Sequence, residues 1–486
     1  MSLASKFLKE STIYSLQPIL AKAIAFFLIP LYTAFLTPND FGNLSYIISI
    51  GAFFIIVCEF GLTSSFWKFR AESNDTDTKK IVFFNLYFVQ LFVGVTILFV
   101  GIIFKEHFKN SIDDIGLIYL GAIVISVFFQ NSLLIYRAEF QAKKYLIYSI
   151  LNSALFLLLN ILFVVYFKMN YDGVVWSYFC SFAISSIISL HVLKNQLKYK
   201  IDFKLLGSML KYGYPLMIGN LAAVIISMSD RIFLKNYAND FELGLYSYGY
   251  KYADLLNALL IQSFFLAWNP MRWEIYKRPD AKTVFLKFYK YILSLFPAIA
   301  LILVSIIIPI GYFITVDKTF INGFAIILMI SVSRVFYAFY YFNAMGILFS
   351  DKTKYITLVI VLSSLISIVF SFLLIPKYGM TGAAISTIIS YFSMFLLGSY
   401  WGQKFYPILR NKKHEIIQIS LLIIICVSTT VAYNYIDNIF VYSSIIFMAG
   451  LFYLTISFLI GTISLKELVP LYSDLKIKIT SLTNRK

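Results

Sequence analysis

Runs of about 20 apolar residues alternate with short polar connectors along nearly the whole chain. A helix of about 20 apolar residues spans the ~30 Å of hydrocarbon in a bilayer. The pattern predicts fourteen membrane helices, at 12–36, 44–66, 81–104, 115–136, 145–167, 173–193, 212–235, 244–268, 291–314, 321–349, 356–375, 380–403, 416–436 and 439–463. Most connectors open or close on turn residues, as in Thr37-Pro38-Asn39-Asp40 and Pro376-Lys377-Tyr378-Gly379. The first run is too long for the apolar core of a cleaved signal and carries Pro18 and Lys22, so it is expected to remain as a helix.

Composition sharpens this picture. Hydrophobic types make up 60% of the 486 residues and charged types only 13%, against roughly 25% charged in a soluble protein. Too few charges are present to cover a water-facing surface. A soluble enzyme, a disordered chain and a secreted disulfide scaffold are excluded, which leaves an all-α polytopic membrane protein. Cys58, Cys180 and Cys426 sit in apolar runs and form neither a disulfide framework nor a metal site. His107, His191 and His414 lie far apart, and the sequence contains no phosphate-binding loop and no paired zinc spacing. No catalytic residue, metal, cofactor or ATP-driven step is therefore expected, and the chain is expected not to be an enzyme.

The net charge of +17 would point to nucleic acid in a soluble chain. Here its distribution gives another explanation. With the N-terminus inside, the inner regions hold 31 Lys and Arg, while the outer loops hold six: Lys105, Lys109, Lys168, Lys235, Lys318 and Lys377. This positive-inside bias places both termini in the cytoplasm and makes a nucleic-acid partner unnecessary. The largest inner loop, 269–290, mixes basic and aromatic residues. It reads as an interfacial elbow, with a docking or regulatory role as the alternative.

The two halves of the chain repeat. Tyr14 stands 200 residues before Tyr214, and Asn39-Asp40-Phe41 stands 200 before Asn239-Asp240-Phe241. Gly42 and Ser45-Tyr46 match Gly244 and Ser247-Tyr248 after a two-residue insertion. Lys168, Gly173 and Ser177 match Lys377, Gly382 and Ser386 at a spacing of 209. Helices 1–6 thus pair with 7–12 in parallel orientation. The implied division is an N-terminal lobe at 1–205, a C-terminal lobe at 206–405, and two added helices with a cytoplasmic tail at 406–486. Transporters built from repeats alternate access by moving one repeat against the other.

Seven charges fall well inside the predicted helices: Lys22, Glu59, Asp230, Arg231, Lys251, Asp254 and Arg334. A charge at the bilayer centre costs at least ~2.5–3.5 kcal/mol, so it needs a partner or a polar cavity. They fall on helices 1, 2, 7, 8 and 10, which include repeat mates. The reading is a polar cavity with a cationic surplus, in which Lys22, Arg231, Lys251 and Arg334 contact an anionic substrate and Arg137 at the end of helix 4 adds to them. Guanidinium groups suit bidentate contacts to phosphate. Glu59, Asp230 and Asp254 are the candidates for a coupling proton or sodium ion. Buried ion pairs that only hold helices together are the structural alternative, above all for Lys251 and Asp254 at i, i+3.

Several motifs carry a family resemblance. Phe35-Leu-Thr-Pro-Asn-Asp-Phe-Gly42, Asp230-Arg231-Ile-Phe-Leu234, Gly244-Leu-Tyr-Ser247, Tyr250-Lys-Tyr252, Ala267-Trp-Asn-Pro270 and Tyr378-Gly-Met-Thr-Gly-Ala-Ala384 stand in order along the chain. The set resembles Wzx-type polysaccharide flippases, within the MATE-like superfamily of multidrug, oligosaccharide and lipid exporters. The resemblance implies a V-shaped two-lobed fold and a flippase for undecaprenyl-pyrophosphate-linked oligosaccharide in the bacterial inner membrane. Its product would feed O-antigen (lipopolysaccharide), capsule or exopolysaccharide synthesis. It also implies ion-gradient coupling, a bilayer-embedded monomer and a separate glycan polymerase as partner. A cation-coupled MATE-type drug antiporter and a peptidoglycan lipid precursor flippase stay open as rivals. A membrane-embedded polymerase or ligase is disfavoured because no outer loop exceeds about a dozen residues. Lys22→Ala and Arg334→Ala are each expected to abolish surface glycan at normal protein abundance, read by glycan staining beside an immunoblot. Normal glycan in both variants overturns the cationic-cavity reading.

Overall fold

The computed structural model describes residues 24, 26–103, 114–196 and 200–463. Lys22, most of the first predicted helix, His107, Lys105 and Lys109 of an outer loop and the C-terminal tail lie outside the described residues. Every regular element among the described residues is helical, as hydrocarbon demands of backbone groups that have no water to bond. Eleven described helices are long and apolar enough to cross a bilayer. The described part of the first predicted helix is α1, Phe26–Phe35. Next come α2 (Pro38–Glu59), α3 (Leu62–Glu72), α4 (Thr76–Ile103) and α5 (Asp114–Ala138). After them, α6 (Ala142–Asn160) runs on through a π-type segment to Tyr166, followed by α7 (Asn170–Gln196) and α8 (Phe203–Tyr237). One face of α4 exposes Phe88, Phe92, Phe99 and Ile102, a surface that suits lipid and not water.

Local sequence explains the element ends. The Pro38 turn is the start of α2. Thr37 Oγ1 accepts from the Asp40 amide at 3.2 Å, and Asp40 Oδ2 accepts from the Thr37 amide at 3.0 Å, a reciprocal cap. The second predicted helix breaks at Phe60 and Gly61, with φ of 49° and 69°. A Cβ on Gly61 would stand 2.1 Å from the Gly213 carbonyl oxygen. Glycine here therefore allows α3 to lie against α8, where Ser65 Oγ donates to the Met209 carbonyl at 2.8 Å.

Further along the chain are α9 (Asp240–Leu256), a π-type turn at Asn257–Gln262, α10 (Ser263–Tyr276) and α11 (Ala281–Ile314). The predicted elbow at 269–290 is thus mostly helix, because Trp268 and Ile275 keep a buried apolar face running through α10. Only 277–280 remains as a connector. Arg278 donates there to both Asp280 oxygens at 2.8 and 2.7 Å and holds that carboxyl below its ordinary range. A 3-10 segment, Lys318–Ile326, leads into α12 (Ile327–Asn343), short α13 (Met345–Phe349) and α14 (Lys354–Phe405). With 52 residues, α14 is roughly 78 Å long at 1.5 Å per residue, more than twice a hydrocarbon thickness. It is broken at Gly379, where φ is 52° and ψ is −131°. The eleventh and twelfth predicted helices therefore meet at a kink and not in a loop. Glu242 accepts from the Met380 amide at 2.9 Å beside the kink, in the space a side chain at 379 would fill.

The described chain forms two compact units. One holds the residues up to Ser247 with Ile314–Phe320 and Ser367–Ala383; the other holds Tyr248–Phe313, Ile321–Ile366 and the residues from Ala384 on. The unit boundary falls inside α9, whereas the sequence repeat turns over near 205. The first unit contains the strongest mark of the repeat. A Cβ on Gly42 would stand 2.1 Å from the Asp240 carbonyl oxygen, and one on its repeat mate Gly244 would stand 1.8 Å from the Pro38 carbonyl oxygen. Each glycine lies against the first turn of the other's helix. The second unit includes α15 (Lys412–Tyr433) and α16 (Ile439–Leu459). Arg410 precedes α15. Its guanidinium lies 4.0 Å from the Tyr289 ring centroid and donates to Ser399 Oγ at 3.2 Å and to Asn343 Oδ1.

Gly244→Ala is expected to lower stability by at least ~2 kcal/mol, because its neighbour is backbone and cannot swing away. Gly207, whose Cβ would meet nothing within 4 Å, serves as the control. Gly207→Ala is expected to be neutral or to stabilise by about 0.5–1 kcal/mol. Thermal unfolding of the purified protein in detergent reads both.

Candidate functional site

A cavity of about 200 Å³ opens between α2, α3, α4, α5 and α6 in the first unit. Its lining includes Glu59, Thr63, Gln90, Gln130, Asn131, Arg137 and Tyr145, most of them polar in helices that are otherwise apolar. The break at Phe60 ends α2 and frees the Glu59 carbonyl from the helical ladder. Gln90 Nε2 donates to that carbonyl at 3.5 Å, and Asn131 Nδ2 donates to Gln90 Oε1 at 2.9 Å. Both amides are nearly fully buried, so this chain fixes the backbone that carries Glu59. The Glu59 side chain is half-buried and makes no hydrogen bond or ion pair among the described residues. Arg137 lines the same cavity without bridging to it, and its guanidinium lies 5.5 Å from the Trp67 ring centroid. The fold thus brings together one candidate cation and one candidate carboxylate and leaves both side chains available.

Arg334 lies on α12 in the second unit and is 8% exposed. Its Nη1 donates to Tyr391 Oη at 2.7 Å, and its Nη2 donates to Tyr250 Oη at 2.6 Å and to Asp254 Oδ1 at 2.9 Å. A hydrogen bond to a charged group contributes about 1.5–3 kcal/mol, so three of them match the cost of placing the cation at membrane depth. Its Nε is buried and has no hydrogen-bond partner among the described residues. The Asp254 carboxylate is half-exposed. Lys251 is half-buried one turn away on α9, and Asp254 pairs across helices with Arg334.

Asp230 and Arg231 are both buried on α8. Arg231 Nη1 donates to Asp230 Oδ1 at 3.0 Å and to the Ser227 carbonyl at 2.9 Å. Asp230 also accepts from the Arg231 amide and from the Tyr246 hydroxyl. The pair neutralises itself in place, the arrangement expected of two charges that hold a helix. Lys22 lies outside the described residues. Three polar partners escaped the sequence reading: Tyr250, Tyr391 and the Gln90–Asn131 chain. Tyr250 stands four residues before Asp254, so the helical period alone places it on the same face. Tyr391 and Asn131 become partners only through helix packing.

Known proteins share this architecture. The chain is 21% identical over 451 residues to an uncharacterised membrane protein of Methanocaldococcus jannaschii, covering 84% of this chain and 99% of that one. Its fold matches that of the lipid II flippase MurJ in an inward closed conformation, with a TM-score of 0.69 at 14% identity over 92% of this chain and 98% of that one. It also matches an inward-facing multidrug resistance MATE family transporter, with a TM-score of 0.63 at 14% identity over 79% and 94% of the two chains. The sequence profile of polysaccharide biosynthesis proteins matches residues 7–275, more than half of the chain and all of the helices around the Glu59–Arg137 cavity, and the chain belongs to the polysaccharide biosynthesis protein family.

Proposed function

We propose that this membrane protein is a flippase that carries undecaprenyl-pyrophosphate-linked oligosaccharide across the bacterial inner membrane by alternating access of its two repeats. The observation that supports this most is the polar cavity at Glu59 and Arg137, set among membrane helices with both side chains left unbridged. Arg137 would take the pyrophosphate, since a guanidinium offers a bidentate fork to phosphate oxygens. Arg334 is a weaker candidate, since its two terminal nitrogens already donate to Tyr391, Tyr250 and Asp254. Glu59 would bind the coupling proton or sodium ion, because its carboxylate is the candidate that no donor occupies. Asp230 is a weaker candidate, since its oxygens already accept from Arg231 and Tyr246.

The functional lobes would be the repeats, 1–205 and 206–405, with 406–486 an addition. Both termini would face the cytoplasm, and the flipped unit would pass from a monomeric flippase to a separate glycan polymerase. The chain itself would form no covalent bond.

A deletion strain tests the reading. Complete lipid-linked repeat units are expected to accumulate on the cytoplasmic leaflet while surface glycan disappears, and their mass identifies the sugars. A peptidoglycan precursor mass would move the substrate to that lipid. Unchanged lipid intermediates together with raised drug sensitivity would overturn the glycan reading in favour of drug antiport. Complementation with Arg137→Ala and with Glu59→Gln is expected to leave export at least tenfold below wild type at equal abundance. Full export by both variants removes this cavity from the mechanism. Asp254→Asn is expected to cost about 1–3 kcal/mol of stability through the weakened Arg334 contact while retaining most export. Lost export at unchanged melting temperature would instead assign Asp254 to the coupling ion.

A further inference from the structure

A second cavity, of about 600 Å³, lies at one end of the first unit, where α3, α5 and α7 finish and α4 begins. Arg70, Lys79 and Lys80 line it, with Glu139 as its one carboxylate and Trp67 and Phe140 among its aromatic residues. Arg70 is mostly buried and pairs with Glu139. That contact uses one guanidinium nitrogen, Nη2, while the buried Nη1 has no hydrogen-bond partner. Lys79 and Lys80 are half-buried and form no ion pair among the described residues. The lining thus carries three cations against one carboxylate, and among the described residues Lys79 and Lys80 have no carboxylate partner. Phe140, 66% exposed, and Trp67, 37% exposed, leave aromatic surface open beside these charges. None of these residues lines the cavity at Glu59 and Arg137, although the Trp67 ring lies beside the Arg137 guanidinium.

We propose that this cavity binds the phosphate group of an anionic ligand, with Lys79 and Lys80 as its donors beside the Arg70 guanidinium. Two ammonium groups beside a mostly buried guanidinium give a positive lining that suits tetrahedral phosphate oxygens, and aromatic surface beside a cation is typical of the membrane interface. The same chemistry is presented by the headgroup of an anionic phospholipid and by a soluble phosphate compound. The site is independent of what the transporter carries and holds even for a chain that exports no glycan.

The test uses the full-length protein. Native mass spectrometry after delipidation compares retention of phosphatidylglycerol with that of phosphatidylcholine, and calorimetry measures binding of inorganic pyrophosphate. Preferential retention of phosphatidylglycerol identifies a lipid headgroup, and saturable pyrophosphate binding identifies a soluble ligand. In either case K79A/K80A is expected to weaken binding at least fivefold, while K352A/K354A, which removes the same charge elsewhere, leaves it unchanged. K79Q/K80Q gives the same readout if the alanine pair does not fold. Equal retention of both lipids with no pyrophosphate binding overturns the proposal. So does binding that survives the Lys79 and Lys80 substitutions, or that falls equally in the control.

Discussion

The cost of holding a charge away from water organises this molecule. Each described charge at membrane depth meets that cost in its own way. Arg334 is matched by three hydrogen bonds that it donates to two tyrosines and Asp254. Asp230 and Arg231 close on each other and on Tyr246. Glu59 and Arg137 are matched by neither route; they share a polar cavity instead. Partnered charges fix helices, whereas charges that face an open cavity remain free to meet a ligand. This difference separates scaffold from candidate site more sharply than residue type does.

Backbone departures from the helix place these groups. The left-handed pair Phe60 and Gly61 ends α2 at Glu59 and lets α3 reach α8. The freed Glu59 carbonyl then draws in Gln90, and Gln90 draws in Asn131. At Gly379 a single residue turns one very long helix into two, held by Glu242. Gly42 and Gly244 let the first turns of α2 and α9 touch backbone to backbone. At Gly42, Gly61 and Gly244 the missing Cβ is what permits the approach, and a methyl group there would collide with backbone atoms that cannot rotate away; at Gly379 it would meet the Glu242 carboxylate.

The likeness to a lipid II flippase and to a multidrug transporter shows how little a fold says about cargo. One helical architecture serves proteins with very different substrates. The family membership narrows the field to polysaccharide biosynthesis. The cationic cavity at Arg70, Lys79 and Lys80 shows the same logic at the end of the helices, where water and headgroups replace hydrocarbon.

The helical class and the order of the helices were legible in the amino-acid sequence. Hydrocarbon accepts few backbone arrangements, so a run of apolar residues of the right length has one outcome. The spacing of Gly42 and Gly244 in the repeat was readable for the same reason, and their mutual contact followed once the helices packed. The sequence also picked out Glu59, Arg137, Asp230, Arg231, Asp254 and Arg334 as residues that needed an explanation. It left open which of them were already satisfied, because partners such as Tyr391 to Arg334 or Asn131 to Gln90 lie 57 and 41 residues apart in the chain. Local patterning sets which way a helix faces; only packing in three dimensions decides which side chain stands within 3 Å of a charge, and so which charges remain open to a ligand.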